Sequence, residues 1–226
     1  MKKLQTLPLL LGALLPGLAI AAEVPSKAPA TPAATAPSSK TKASVDELPG
    51  SFRADDTLAT LQARFGAAQV KVEELGGAEG ETAPGLVIFG SDPSRRIEVF
   101  MHDMDKRQGI DTLRVSGNTS RWHIDNGIKL GMSLADLVAL NGKPITFSGL
   151  DWDYGGGIID WNGGKLAQPE NTPIFRSVTL TELGSAGDGD YPMGDNQFRS
   201  DDPKFPRQGK LLGVGELSVS FVHKSD

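Results

Sequence analysis

Apolar residues recur along this chain in two rhythms, one suited to helix and one to strand, and the same order of rhythms occurs twice. Leu58 and Leu61 stand three apart after Asp56 and Thr57 and before Phe65 and Gly66; Leu134 and Leu137 do so after Ser133 and before Asn141 and Gly142. An oxygen-bearing side chain ahead of the first leucine can accept from free backbone amides, and a glycine after the last turn permits a left-handed exit. Both stretches are therefore predicted as short helices. They align at a constant offset of 76, pairing Thr57 with Ser133, Leu58 with Leu134, Leu61 with Leu137 and Gly66 with Gly142. Asp136, three residues after Ser133, resembles a capping box with the shorter acid.

Strand-like segments follow each helix. After the first come 70–73, 86–89, 97–102 and 112–116; within the third, Ile97, Val99 and Met101 alternate with Glu98, Phe100 and His102. After the second come 145–154, 158–161, 174–183 and 216–222, with Asn162-Gly163 as a tight-turn signal. A helix followed by a meander, twice over, predicts the α+β class: two tandem helix-plus-antiparallel-sheet repeats in one globular unit, 44–226, with halves of roughly 52–118 and 127–226.

The residues ahead of that unit have other patterns. Lys2 and Lys3 precede an apolar run broken by Pro8 and Pro16, and Ala19-Ile20-Ala21 supplies small residues for cleavage. Residues 1–21 thus read as a secretory signal cut after Ala21, and the protein as periplasmic or secreted. The densest apolar stretch, 9–22, is shorter than the ~20 residues of a spanning helix, so no membrane span is expected after cleavage. Residues 22–43 are Ala, Pro, Ser, Thr and Lys with almost no large apolar side chain, and are expected to form a disordered linker.

Composition removes several chemistries. With no cysteine there is no disulfide, thiol nucleophile, Cys-ligated zinc or lipidated cysteine, so burial alone must stabilise the unit. Removing Lys2 and Lys3 with the signal leaves 21 Lys and Arg against 28 Asp and Glu, a balance of −7, which argues against nucleic acid as a partner. The adjacent pair Arg95-Arg96 reads as one end of an edge strand.

The most unusual segment runs from Phe147 to Trp161. As a hairpin it would place Leu150, Trp152 and Tyr154 on one face, Asp151 and Asp153 on the other, and Trp161 on the returning strand. Two tryptophans and a tyrosine beside carboxylates suit a sugar ring or a protein interface, making Trp152, Tyr154, Trp161, Asp151 and Asp153 the candidate binding residues. The plainer alternative, weighed more heavily, is that these aromatics fill the core. Gly155-Gly156-Gly157 suits a bulge or bend, not a nucleotide cradle.

Other candidates are weaker. The long loop 184–213 holds Asp188, Asp190, Asp195, Asp201 and Asp202, but Pro192 and Met193 break the helical-loop calcium spacing, so a solvated acidic loop is favoured. Asp202 before Pro203 is expected to cap one short turn. His102, His123 and His223 are scattered and match no metal-ligand spacing, and no nucleophile elbow occurs. No metal site, cofactor or catalytic residue is assigned.

The string Gly127-Ile128-Lys129-Leu130-Gly131-Met132-Ser133, continuing to Leu137, Gly142 and Pro144, resembles the opening of the helix-plus-sheet unit in beta-lactamase-inhibitor-like proteins and small outer-membrane assembly lipoproteins. That resemblance implies a tandem unit acting by protein–protein contact, with no catalytic residues to carry over. The lipidated cysteine of the lipoproteins and the disulfides of the inhibitor are missing, so neither specific role transfers. Three functions follow in order: a noncatalytic module binding another protein, a module binding cell-envelope glycan, and a hydrolase, which requires two carboxylates (Asp151, Asp153 and Asp160 could supply a pair) or a carboxylate and a histidine converging in a cleft.

Overall fold

The computed structural model describes residues 46–184, 187 and 189–223. The expected signal, the linker, Ser44 and Asp188 lie outside these residues. In chain order the elements are β1 (Glu47–Leu48), α1 (Leu58–Phe65), β2 (Val70–Gly76), β3 (Thr82–Ile88), β4 (Ile97–Asp103), β5 (Gln108–Ser116) and β6 (His123–Ile124). They continue with α2 (Leu134–Asn141), β7 (Thr146–Ser148), β8 (Ile158–Asp160), β9 (Ile174–Glu182), β10 (Gln197–Arg199), α3 (Gln208–Leu211) and β11 (Leu212–Phe221). No helix among the described residues is long and apolar enough to cross a membrane.

The class is α+β with antiparallel sheet. Six strands form the main sheet in the order β2-β3-β4-β5-β11-β9, and a smaller sheet has the order β10-β7-β8. β1 and β6 make a short parallel pair. Alternation dictates which face is covered: Leu86, Ile88, Ile97, Val99, Leu113, Val115, Leu217 and Val219 are buried in one cluster with Leu61 of α1 and Leu134 and Leu137 of α2. Phe52, Phe65, Phe89 and Trp122 add an aromatic group to it, with Phe52 and Phe65 centroids 5.3 Å apart.

Both helices start and stop where the sequence predicts, at the same offset. Thr57 and Thr60 form a reciprocal capping box, each side chain accepting from the other's backbone amide. At α2 the Asp136 carboxylate instead accepts from the Ser133 hydroxyl at 2.7 Å while the Asp136 amide donates back to that hydroxyl. Beyond the helices the halves differ. The first continues into four strands that pair in chain order, whereas the second divides its strands between the two sheets. Backbone bonds from Gly131 to Val214 and from Val214 to Met132 seat the start of α2 on β11.

Several boundaries depart from the pattern. The segment expected as strand to residue 154 leaves the sheet after Ser148, because Leu150 exchanges backbone bonds with Pro192 and Gly194 and thereby turns away from β8. The long loop 184–213 supplies β10, which pairs with β7, and α3, which packs on α2. Tyr191, Pro192 and Phe205 of that loop are buried. Asp202 does cap one turn, accepting from the Lys204 amide at 2.9 Å.

The most heavily bonded charge is at the start of α1. Asp56 is only 4% exposed and receives two bonds from the Arg64 guanidinium, one from the Thr60 hydroxyl and one from the Arg53 amide. Burial opposes its charge, but Arg64 and the two other donors outweigh it and hold the carboxyl below the ordinary aspartate range. A depressed carboxyl stabilises the fold above its unfolded value and ceases to do so as pH falls through the folded one. Asp56→Asn should therefore lower stability at pH 7 by about 2–3 kcal/mol. In denaturant melts the gap to wild type should close below pH ~4; a gap constant with pH would contradict this account.

Candidate functional site

The aromatic segment is built by glycine. Gly156 has φ +78°, and a Cβ there would collide with the Leu180 carbonyl. Its bareness lets the Leu180 amide donate to the Gly156 carbonyl at 2.8 Å, so the segment docks on the free edge of β9. Asp151, at φ +64°, reverses the chain ahead of it, and the Trp152 indole donates to the Gly149 carbonyl at 2.8 Å. Leu150, Trp152 and Tyr154 consequently do not share a strand face. Leu150 is buried, Trp152 half-buried and Tyr154 56% exposed.

Trp152 and Tyr154 still meet, edge to face with centroids 5.5 Å apart. Together with Ser148, Ile159, Asn196 and Gln197 they line a groove of about 570 Å³. The Tyr154 hydroxyl lies 3.3 Å from the Glu79 carboxylate, in the turn between β2 and β3. Trp161 is separated from this pair. It packs half-buried against the core and lines an adjoining depression of about 230 Å³ with Asp160, Phe175 and Arg176. Ile158 and Ile159 border both hollows; exposed Tyr154 lines the first, exposed Phe175 (51%) on β9 lines the second, and exposed Ile159 (48%) of β8 is common to both.

The acids fall elsewhere. Asp195, not Asp151 or Asp153, is the carboxylate among the groove-lining residues. Asp151 faces the buried Tyr191 hydroxyl at 3.4 Å; burial first, then the Asp151 and Glu182 carboxylates, push that phenol up. Asp160 accepts from the Asn162 amide at 2.7 Å. In the long loop Asp190 is paired with Arg207 and Asp201 with Arg199. The basic pair precedes β4, a central and not an edge strand, and both members are partnered: Arg95 stacks over Phe89, and Arg96 reaches Glu73 and Glu98.

Another depression of about 570 Å³ contains Glu182 and Glu216 beside β9 and β11. Burial pushes the Glu216 carboxyl above the ordinary glutamate range; Arg114 opposes this and Glu98 adds to it. Sequence reasoning passed over Glu216 because its alternation reads as an ordinary wet-face position.

It also passed over a convergence of histidines. Contrary to the scattered reading, His102 and His223 stack with centroids 4.0 Å apart, and Asp111 stands 3.8 Å from His102 and 3.9 Å from His223. His123 remains apart, 3.9 Å from Glu47. No local spacing could have revealed the pair, since His102 lies on β4 and His223 just past the end of β11, two strands brought near each other only through β5.

Gly156→Ala should detach the aromatic segment from β9, seen as a change in near-ultraviolet tryptophan dichroism and faster hydrogen exchange at Leu180, with Asp56 and its partners undisturbed. Glu216→Gln removes a desolvated charge, so it should gain stability at neutral pH; the gain should fade as pH falls through the raised folded value and be gone below the ordinary glutamate value, a difference from wild type opposite in sign to that of Asp56→Asn. Compared with protein-family models, with curated proteins and with solved structures, the chain finds no match in any of the three.

Proposed function

We propose that the chain is an exported, noncatalytic interaction module that binds another protein through the ridge of Tyr154, Ile159 and Phe175. The carrying observation is the exposure of these three large apolar side chains along one edge, flanked by the half-buried Trp152 and Trp161. Aromatic and aliphatic groups that are held in place but only partly covered are typical anchors of protein interfaces. The rim carries Asp195, Asn196 and Gln197, which suits a polar border around an apolar centre.

The glycan reading is less well supported. Its platform would be Trp152 or Trp161, yet the Trp152 indole donates to Gly149 and turns toward Tyr154, and Trp161 packs half-buried against the core beside Asp160, not Asp151 or Asp153. Asp151 and Asp153, the carboxylates expected to bond sugar hydroxyls, do not line the groove. Export to the periplasm or medium rests on the signal pattern of residues 1–21, and the tandem origin of the two halves on the matched helices at offset 76 together with the resemblance of residues 127–144 to exported interaction modules.

The purified chain, immobilised and exposed to cell-envelope extract, should retain one protein. The double variant Ile159→Asp/Phe175→Asp should lose at least ~30-fold of that binding, corresponding to an anchor worth about 2 kcal/mol. Val72→Asp, at an exposed apolar position on β2, should leave it unchanged. Retention that survives the double variant would refute the ridge. Sedimentation with cell-wall glycan that depends on Trp152 would establish the second reading instead.

A further inference from the structure

The geometry points to a divalent transition-metal site formed by His102, Asp111 and His223. Among the described residues this is the one group of three or more His, Asp or Glu whose ligand atoms all lie close together, each within 4.8 Å of the others. Two imidazoles and one carboxylate suit a borderline ion such as Zn²⁺, and three protein ligands leave a further position open.

The ligands come from three neighbouring strands at one end of the main sheet. His102 lies on β4, Asp111 on β5, and His223 just beyond the end of β11, with β5 in the middle. Regular pairing would not bring them together. Phe100 pairs with Thr112 but Met101 pairs with Ile110, so Asp111 is the extra residue of a β-bulge. A bulge re-aims the side chain of its extra residue, and here the Asp111 carboxylate stands near both rings.

Close approach is arranged on the other side by Gly109. Its φ is +72°, and a Cβ there would press on His102 at 3.0 Å and touch the His223 ring at 3.7 Å. Ligands bound at ~2.0–2.1 Å in a tetrahedron stand roughly 3.3 Å from one another. The observed separations of 3.8 and 3.9 Å from Asp111 Oδ1 exceed that by roughly 0.5 Å, and the two imidazoles, stacked nearly parallel at 19°, would have to turn so that their ring nitrogens converge on the ion. His223 Nε2 also bonds the Ile110 carbonyl at 2.9 Å, so an ion seated on that nitrogen exchanges a hydrogen bond for a coordinate bond.

His102 and His223, though not Asp111, also line a hollow of about 490 Å³ with Ala54, Asp55 and Gln108. A water or a carboxylate from outside could complete the coordination there. Asp103 is already bonded to Lys106 through both the amide and the ammonium.

The chain has three histidines and no cysteine, which makes the test clean. Zn²⁺ is titrated into the purified full chain, carrying no histidine tag, in competition with a chromophoric chelator. Binding of one ion at micromolar affinity is expected. His102→Ala, His223→Ala and Asp111→Asn should each weaken it by at least about tenfold, and His123→Ala should not. Because an alanine variant could fail for want of folding, the imidazole resonances of the wild-type chain provide a second measurement: those of His102 and His223 should shift with Zn²⁺, and that of His123 should stay. No binding at submillimolar Zn²⁺, equal binding by all variants, or a shift confined to His123 would overturn the proposal.

Discussion

Strand β11 pairs with β5 on one flank and β9 on the other, and that double pairing holds the rest of the molecule in place. It joins the four-stranded meander of the first half to the strands of the second. It also receives the start of α2 through the backbone bonds at Gly131, Met132 and Val214, so the second helix is set against the common core. Burial of Leu217 between Val115 and Val178, and of Val219 beside Leu113, gives the seam its apolar content. Without β11, β9 would lose its strand partner and the aromatic segment its support.

The two proposed sites use different weaknesses of the same sheet. At the β9 edge, backbone groups left without a ladder partner are taken up by Gly156 and by Gln168, whose side-chain amide bonds both the amide and the carbonyl of Arg176. That covering carries Tyr154 and Ile159 to the surface. At the strand ends on β4, β5 and β11, the ladder is interrupted by the bulge at Asp111, and polar side chains from three strands meet where regular pairing would have separated them. Both are places where pairing stops or slips, so side chains are free to serve purposes other than packing.

The tryptophans show how a shared residue type divides between roles. Trp122 is fully enclosed, with Phe52 beside it and its indole bonded to the Arg95 carbonyl, and acts as core. Trp152 and Trp161 each bury part of a ring and leave part at a hollow. Neither the core-filling expectation nor the exposed-platform expectation describes the latter two, because the chain turns at Asp151 and returns at Gly156 instead of running on as a strand.

What the sequence determined alone was local. The helix starts at Thr57 and Ser133, the glycines that end them, and the alternating strands 97–102, 174–183 and 216–222 were legible because capping and alternation involve neighbours within a few residues. The antiparallel α+β class followed from their order. Tertiary structure decided the division of the second half between two sheets, the short strand 197–199 within a Gly-rich and acidic loop, and the end of β7 at Ser148. Each depends on a partner distant in the chain: Phe147 for Phe198, Pro192 for Leu150. The meeting of His102, Asp111 and His223 belongs to the same class, since its register is set by a bulge and a strand pairing that no short window of sequence contains.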